Sequence, residues 1–366
     1  MFGDVYRDRT VWLSGHTGFK GAWLAEWLLG LGARVHGFAL APPTSPALFD
    51  QLGLASRVRH EAGDVRDAAR VRQSIGQTQP DFVFHLAAQP VVRKSYELPV
   101  DTYVTNVMGT AHVLDSLRVL AKPCVAIFVT TDKCYENREW VHAYRESDPL
   151  GGHDPYSSSK AAAELAISSW RRSFFPASHP VKIASARAGN VVGGGDWAPD
   201  RLIPDCVRAL GRGDTIPVRN RTATRPWQHV LEPLSGYLWL GAVLAQPALV
   251  PFDPGLFRDA FNFGPNKNSN RTVAEVVQEF LRHWPGRWED RSDPQAVHEA
   301  NLLQVSTDKA HHYLSWAPVW AFERTFSQAA HWYRRAHAGG NVATLTRDDI
   351  AAYAADALTA GVRWVN

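Results

Sequence analysis

The sequence predicts an α/β fold: a doubly wound parallel sheet joined to a smaller, loop-rich α/β lobe. Three observations carry that expectation. Over roughly the first two hundred of 366 residues, short β-branched runs alternate with longer amphipathic stretches, the pattern of βαβ units. A glycine turn follows the first run and opens a helix. After residue 187 the alternation stops, and Gly193 to Gly195, Pro199, Pro204, Pro217, Pro226 and Pro233 punctuate shorter elements.

Taken in order, strands are expected at 10–14, 34–40, 57–63, 81–86, 124–130 and 181–186, where β-branched and aromatic residues cluster between turn formers. Helices are expected at 19–31, 67–77, 101–121 and 155–175, where apolar residues recur at helical spacing. The length exceeds the usual domain of about 100–200 residues, so two lobes are expected. Residues 1–187 would form the first, with some later segments returning to it, and 188–366 mainly the second. No linker or internal repeat separates them, which places a cleft at the C-terminal edge of the sheet.

Composition removes several classes. The longest uncharged apolar run, 237–245, is far short of the roughly 20 residues of a membrane helix. The N-terminus carries Asp4 and Asp8 and lacks an apolar core, so it does not read as a secretory signal. Cys124, Cys134 and Cys206 are too scattered for a disulfide framework or a metal knuckle, which fits a reducing cytoplasm. With 39 basic and 36 acidic residues and no block of like charge, nucleic acid is not an expected partner. His311-His312 has no third ligand in view, and no metal is expected. Eight of the fourteen tryptophans fall at or after Trp227; most are expected in the core, with Trp227, between Arg225 and His229, placed near the cleft.

The glycine turn reads Gly15-His16-Thr17-Gly18-Phe19-Lys20-Gly21. Gly15, Gly18 and Gly21 let the backbone turn sharply and approach a pyrophosphate, and the following helix offers free N–H groups and a positive dipole end. Thr17 and Phe19 would line the same turn. The acidic residue that would hold an adenine ribose, about 20 residues on, is missing; the second strand ends Phe38-Ala39-Leu40. No arginine stands there for a 2′-phosphate, which favours NAD over NADP. Asp64 and Val65 after the third strand, and Leu86, Ala87 and Ala88 after the fourth, are the further cofactor candidates.

Tyr156 and Lys160 stand four apart on one helix face, so an ammonium lies beside a phenol and would draw its pKa of about 10 toward neutrality. Thr131, closing the fifth strand, would hydrogen-bond the same substrate hydroxyl. Together these motifs resemble the extended short-chain dehydrogenase/reductase superfamily, and so imply a Rossmann-type fold. The resemblance implies that Tyr156 takes the proton of a sugar C4 hydroxyl, that Lys160 binds the nicotinamide ribose, and that Asn106 lies near the active-site helix.

Asp132-Lys133 stands next to Thr131, where hexose-nucleotide 4,6-dehydratases carry an acid and a base. Further segments, among them SGHTGFKGAWL, HLAAQPVVRKSY, DPYSSSKAAAEL and RPWQHVLEPLSGYL, are similar to the CDP-glucose branch of that family. The resemblance implies an NAD-dependent lyase: oxidation at C4, loss of water across C5 and C6, hydride return to C6, and CDP-4-keto-6-deoxyglucose for surface glycans such as lipopolysaccharide. Lys133 would be either the C5 base or an ammonium that stabilises the enolate. Asn190, Arg201, Arg219 and Arg225 are the substrate-binding candidates for a pyrophosphate diester. A homodimer or dimer of dimers is expected, paired through helices near 101–121 and 155–175. Competing readings are another nucleotide-sugar dehydratase or a 4-epimerase, an enzyme exchanging external NAD(H), and a non-catalytic NAD-binding regulator.

Overall fold

The computed structural model describes residues 1–292 and 302–366. Seven strands form one sheet in the order β7-β6-β5-β4-β1-β2-β3. They are β1 (Thr10–Ser14), β2 (Arg34–Ala39), β3 (Arg59–Ala62), β4 (Phe82–His85), β5 (Cys124–Val129), β6 (Val181–Ala188) and β7 (Ala260–Phe263). Every neighbouring pair runs parallel. Helices cover both faces, which is why β4 and β5 bury every residue they contain. The six expected strands are present with ends shifted by a few residues. The seventh, Ala260–Phe263, comes from the later half of the chain.

The helices of the first half are α1 (Phe19–Gly30), α2 (Ala68–Thr78), α3 (Gly109–Leu117) and α4 (Pro155–Phe174). Asp67 caps α2 through the Arg70 N–H, and Asp154 caps α4 through the Ser157 N–H at 2.9 Å, with Pro155 in the first turn. The stretch expected as one helix over 101–121 is broken into Pro99–Tyr103, a π-turn at Val104–Met108, and α3. The extra residue of the π-turn rotates the face that follows and brings Asn106 inside, buried to 1% exposure.

The second lobe holds three two-stranded ribbons: Val191–Val192 with Gln228–His229, Thr224–Pro226 with Asn270–Thr272, and Ile216–Val218 with Trp288–Asp290. Helices α5 (Leu202–Arg212), α7 (Val273–His283) and α8 (Phe322–His337) support them. Between α5 and α7 the chain returns to the first lobe. Helix α6 (Leu231–Ala245) is apolar on all sides and nearly all buried, packed on β5, β6 and β7, so the apolar run at 237–245 is a core helix. Among the described residues no helix is long and apolar enough to cross a membrane. Helix α9 (Val342–Thr359) packs on α1, and Phe2 stacks on Trp364 at 5.1 Å.

Trp12, Trp23, Trp27, Trp239, Trp316, Trp332 and Trp364 are fully buried. Trp227 is also buried: its indole N–H donates to the Arg271 carbonyl at 3.0 Å and its ring meets Phe326 edge-on. It anchors the short strand that carries Arg225.

Candidate active site

The strand order reverses between β1 and β4, and Ser14 at the end of β1 lies opposite His85 at the end of β4. Ser14 Oγ accepts the Leu86 and Ala87 N–H groups at 3.1 and 3.2 Å and pairs with His85 Nδ1 at 2.7 Å. The two loops bordering the crevice are thereby fixed to each other. Gly15 has φ +75°, and a Cβ there would lie 2.8 Å from the Ala87 nitrogen. A Cβ on Gly21 would lie 2.1 Å from the Gly15 carbonyl oxygen. Gly18 is different: its φ is −79°, and a Cβ would meet only the Gly15 oxygen, at 3.4 Å. Neither packing nor backbone conformation demands glycine at 18; its bareness leaves the α1 N-terminus approachable. That end has no side-chain cap, so its first N–H groups point into the crevice mouth, as a dinucleotide pyrophosphate needs.

Around it, Thr17 Oγ donates to the Leu40 carbonyl at 2.9 Å, and Phe19 approaches Gly193 of the second lobe. Asp64 is engaged by Arg66 at 2.7 Å, and Val65 is buried in the core. Leu86, Ala87 and Ala88 are half-buried beside the turn. Gly21→Ala is expected to cost about 1–3 kcal/mol through backbone overpacking. Thermal unfolding should show a lower midpoint, and titration calorimetry a loss of dinucleotide affinity of about tenfold or more.

The capped start of α4 sets Tyr156 and Lys160 one turn apart, both buried, under the end of β5. Thr131 hydrogen-bonds Tyr156 and Asp132, the latter at 3.0 Å. Lys160 Nζ donates to the Val129 carbonyl at 3.3 Å. Burial pushes the Tyr156 phenol up to about 12, against the hydrogen bond from Thr131 and the charge of Arg201. The expected fall toward neutrality is thus absent from the protein alone: desolvation of the phenolate outweighs its cationic neighbours. Burial likewise lowers Lys160 to about 8, opposed by Glu164.

Asp132 is 2% exposed, and burial raises its carboxyl above the ordinary range, opposed by Lys133, Thr131, Arg225 and Lys20. A Cβ on Gly189 would lie 2.5 Å from Asp132 Oδ2 and 3.5 Å from Pro226 Cγ. The segments bearing Asn190 and Arg225 accordingly converge on the acid. Lys133 is half-buried beside it. Arg201 pairs with Asp196 at 2.9 Å, and its charge reaches both Tyr156 and Lys20. Arg219 is committed to Asp200 and Asp205 and is partly exposed, bordering a cavity of about 440 Å³ with Pro199, Arg208 and Arg212.

One residue left without a role by sequence reasoning, Lys20, belongs to this centre. Lys20 is drawn to about 8 by burial and by Arg201 and Lys160, and its ammonium meets the Tyr237 hydroxyl at 3.4 Å. Its signal was a lysine inside a glycine turn, in a chain with only eight lysines. Asn106 was singled out, but its partners were not. Its amide takes the Gln89 N–H at 2.8 Å and donates to Ser159 Oγ at 2.9 Å. Ser159 Oγ donates in turn to the Tyr156 carbonyl at 2.7 Å.

A bare helix N-terminus at a strand-order switch, with a phenol, an ammonium and a second acid and amine beside it, defines a dinucleotide-dependent enzyme of α/β type. The chain belongs to the nucleotide-sugar dehydratase family: residues 13–248 match the family described as GDP-mannose 4,6 dehydratase. It is 43% identical over 358 residues to the CDP-glucose 4,6-dehydratase of Salmonella typhimurium, covering 96% of this chain and 97% of that protein. A dTDP-glucose 4,6-dehydratase of Xanthomonas campestris is 25% identical over 290 residues, 74% of this chain and 77% of that one. Among solved structures, the dTDP-glucose 4,6-dehydratase of Streptomyces venezuelae with NAD and TYD bound shares the fold, at TM-score 0.74 and 22% identity over 90% of this chain and 98% of that one. UDP-glucose 4-epimerase of Thermotoga maritima does so equally, at TM-score 0.74 and 19% identity over 89% and 99%.

Proposed function

We propose that this chain is an NAD-dependent lyase that converts CDP-glucose to CDP-4-keto-6-deoxyglucose and water. The observation that carries the reading is the second acid–base pair, Asp132-Lys133, set beside Thr131, Tyr156 and Lys160 in a chain so similar over its length to the Salmonella enzyme. An epimerase needs no such pair. Bound NAD supplies the acceptor for the C4 hydride and gives the same hydride back at C6, so the redox balance closes internally.

The residues divide the remaining work. Gly15, Thr17, Gly18, Phe19 and Gly21 cradle the pyrophosphate, with Asp64 and Val65 toward the adenine edge and Leu86, Ala87 and Ala88 where the cofactor lies close to the sheet. Tyr156, held by Thr131, takes the C4 hydroxyl proton, and the Lys160 ammonium binds a ribose hydroxyl and stabilises the phenolate. The 4-keto group then makes C5–H acidic. Lys133 acts on that proton or on the enolate it leaves, and protonated Asp132 donates to the departing C6 oxygen. Arg225, Asn190, Arg201 and Arg219 hold the nucleotide diphosphate in the second lobe, residues 188–366, while 1–187 with returning later segments hold the cofactor.

Incubation with CDP-, dTDP-, UDP- and GDP-linked glucose without added NADH tests the reading. Mass analysis should show loss of one water from the CDP sugar, and a 4-epimer from UDP-glucose with no loss of water would overturn it.

The three cysteines are free and buried, in keeping with a cytoplasmic protein serving surface-glycan synthesis such as lipopolysaccharide. A two-fold dimer is supported by exposed apolar side chains on neighbouring helical segments, Val100, Met108 and Leu165. Sedimentation should give a dimer, and Leu165→Glu, placed opposite the buried face of α4, should give monomers with an unchanged fold.

A further inference from the structure

Tyr156 and Lys160 do not end the row on α4. Glu164 continues it, so phenol, ammonium and carboxylate follow one another at successive turns of one helix face. The carboxylate is 3% exposed. It accepts hydrogen bonds from Thr130 Oγ at the end of β5, from Ser185 Oγ at 2.9 Å and from Arg187 Nη2 at 2.8 Å on β6. Arg187 is itself buried and held by the Tyr135 hydroxyl at 2.8 Å and the Glu146 carbonyl at 3.2 Å, with its guanidinium 5.1 Å from the Tyr135 ring centre. A buried charge costs several kcal/mol unless paired, and the pair alone would need only Arg187 and Glu164. The extra donors and the placement behind Lys160 suit a second task.

We propose that Glu164 is a positioning residue for the catalytic lysine: its carboxylate, clamped by Thr130, Ser185 and Arg187, keeps the buried Lys160 side chain charged and aimed past Tyr156. This rests on the reading of Lys160 given above. The groups whose charge bears on Lys160 are Glu164 on its own helix, Cys134 after β5, Lys20 of the glycine turn and His85 at the end of β4. Lys20 is cationic and disfavours a second ammonium; burial keeps His85 neutral and, with Cys134, a protonated thiol. Glu164 is thus the anion that offsets desolvation. Its own carboxyl lies below the usual range: burial pushes it up, but Arg187, Thr130 and Ser185 outweigh that. It therefore stays ionised throughout the neutral range.

Glu164→Gln keeps the shape but leaves Lys160 and Arg187 as two buried cations with no anion between them. A guanidinium does not give up its proton, so Lys160 is the one to yield. Lysine 13Cε labelling with NMR reads this directly, because the chain has only eight lysines and a Lys160→Arg variant assigns the signal. The midpoint of Lys160, about 8 in the native chain, should fall by about one pH unit or more in Glu164→Gln. Glu164→Asp should keep it near the native value. The alkaline limb of kcat should move down with it, so the activity deficit grows about tenfold as pH rises through that limb, while KM changes little. A midpoint unchanged in a folded Glu164→Gln protein would overturn the proposal. Should that variant not fold, Glu164→Met with Arg187→Met removes the uncompensated guanidinium as well, and the Lys160 midpoint should still fall, though by less because a cation has left with the anion; an unchanged midpoint there would overturn the proposal too. A shifted midpoint in a protein inert toward every nucleotide sugar would leave this assignment standing and remove the proposed function instead.

Discussion

Tyr156→Phe should lower turnover of CDP-glucose by about 10²–10⁴-fold while leaving the protein as stable as before. The ring stays in its buried slot under β5, and Thr131, which loses the phenol, keeps Asp132 as a partner at 3.0 Å. Binding should change little if, as proposed, the second lobe holds the nucleotide diphosphate, so kcat falls and KM does not. The pH dependence sharpens the expectation. Burial holds the phenol near 12 in the protein alone. A useful base at neutral pH must therefore gain its activation in the assembled site, where bound nicotinamide adds positive charge to that of the Lys160 ammonium. Stopped-flow absorbance at the reduced-nicotinamide band should show no signal for Tyr156→Phe at any pH. A kcat within about twofold of the native value would remove Tyr156 from proton transfer at C4.

Lys133→Ala has the second large expected effect and separates the two halves of the reaction. In the proposed division of labour oxidation at C4 falls to Tyr156, Lys160 and Thr131, so a single turnover should still reduce the cofactor. Elimination should fail: product formation drops by about 10²–10⁴-fold, and solvent deuterium no longer enters at C5. Lys133→Arg then distinguishes the two roles. A base must lose its proton, which a guanidinium does not do, so arginine would be as inactive as alanine. An ammonium that only stabilises the enolate can be replaced in part by another cation, and arginine would recover some rate. Normal product formation in Lys133→Ala would exclude both. Asp132→Asn should share the elimination defect while C5 exchange persists, because the acid acts after the C5 proton has left.

Much of this centre was legible because its parts are local. A glycine set between β1 and α1, a tyrosine and lysine one turn apart, and an acid and amine after β5 all lie within short stretches whose spacing fixes their geometry. Strands such as β4 and β5 were legible because buried parallel strands are written as continuous apolar runs, whereas the exposed edge strand β3, Arg-His-Glu-Ala, was placed by the alternation around it. What escaped was set by contacts distant in sequence. Strand β7 is four residues, Ala-Phe-Asn-Phe, among prolines and aspartates, and only pairing with β6 makes it a strand. The π-turn at Val104–Met108 differs from a helix by one residue per turn, which a hydrophobic period does not resolve. Glu164 looked like any helix glutamate until Ser185 and Arg187 arrived from β6. The partners of Trp227 were hidden for the same reason: Phe326 lies about a hundred residues on.

The way the chain crosses between its lobes also governs how the cleft can open. After β6 it leaves the sheet for the ribbon at Val191–Val192, comes back as α6 and β7, leaves again for α7, and finally returns as α9 against α1. Several crossings restrain a swing about one hinge, since each would have to bend about the same axis, and small sliding of packed elements past one another is the less constrained motion. Substrate entry is then expected to move side chains and short loops at the rim more than the floor that carries Asp132 and the glycine turn. For a reaction that must lend a hydride and recover the same one, a fixed floor with a yielding rim keeps the intermediate from leaving between the two transfers.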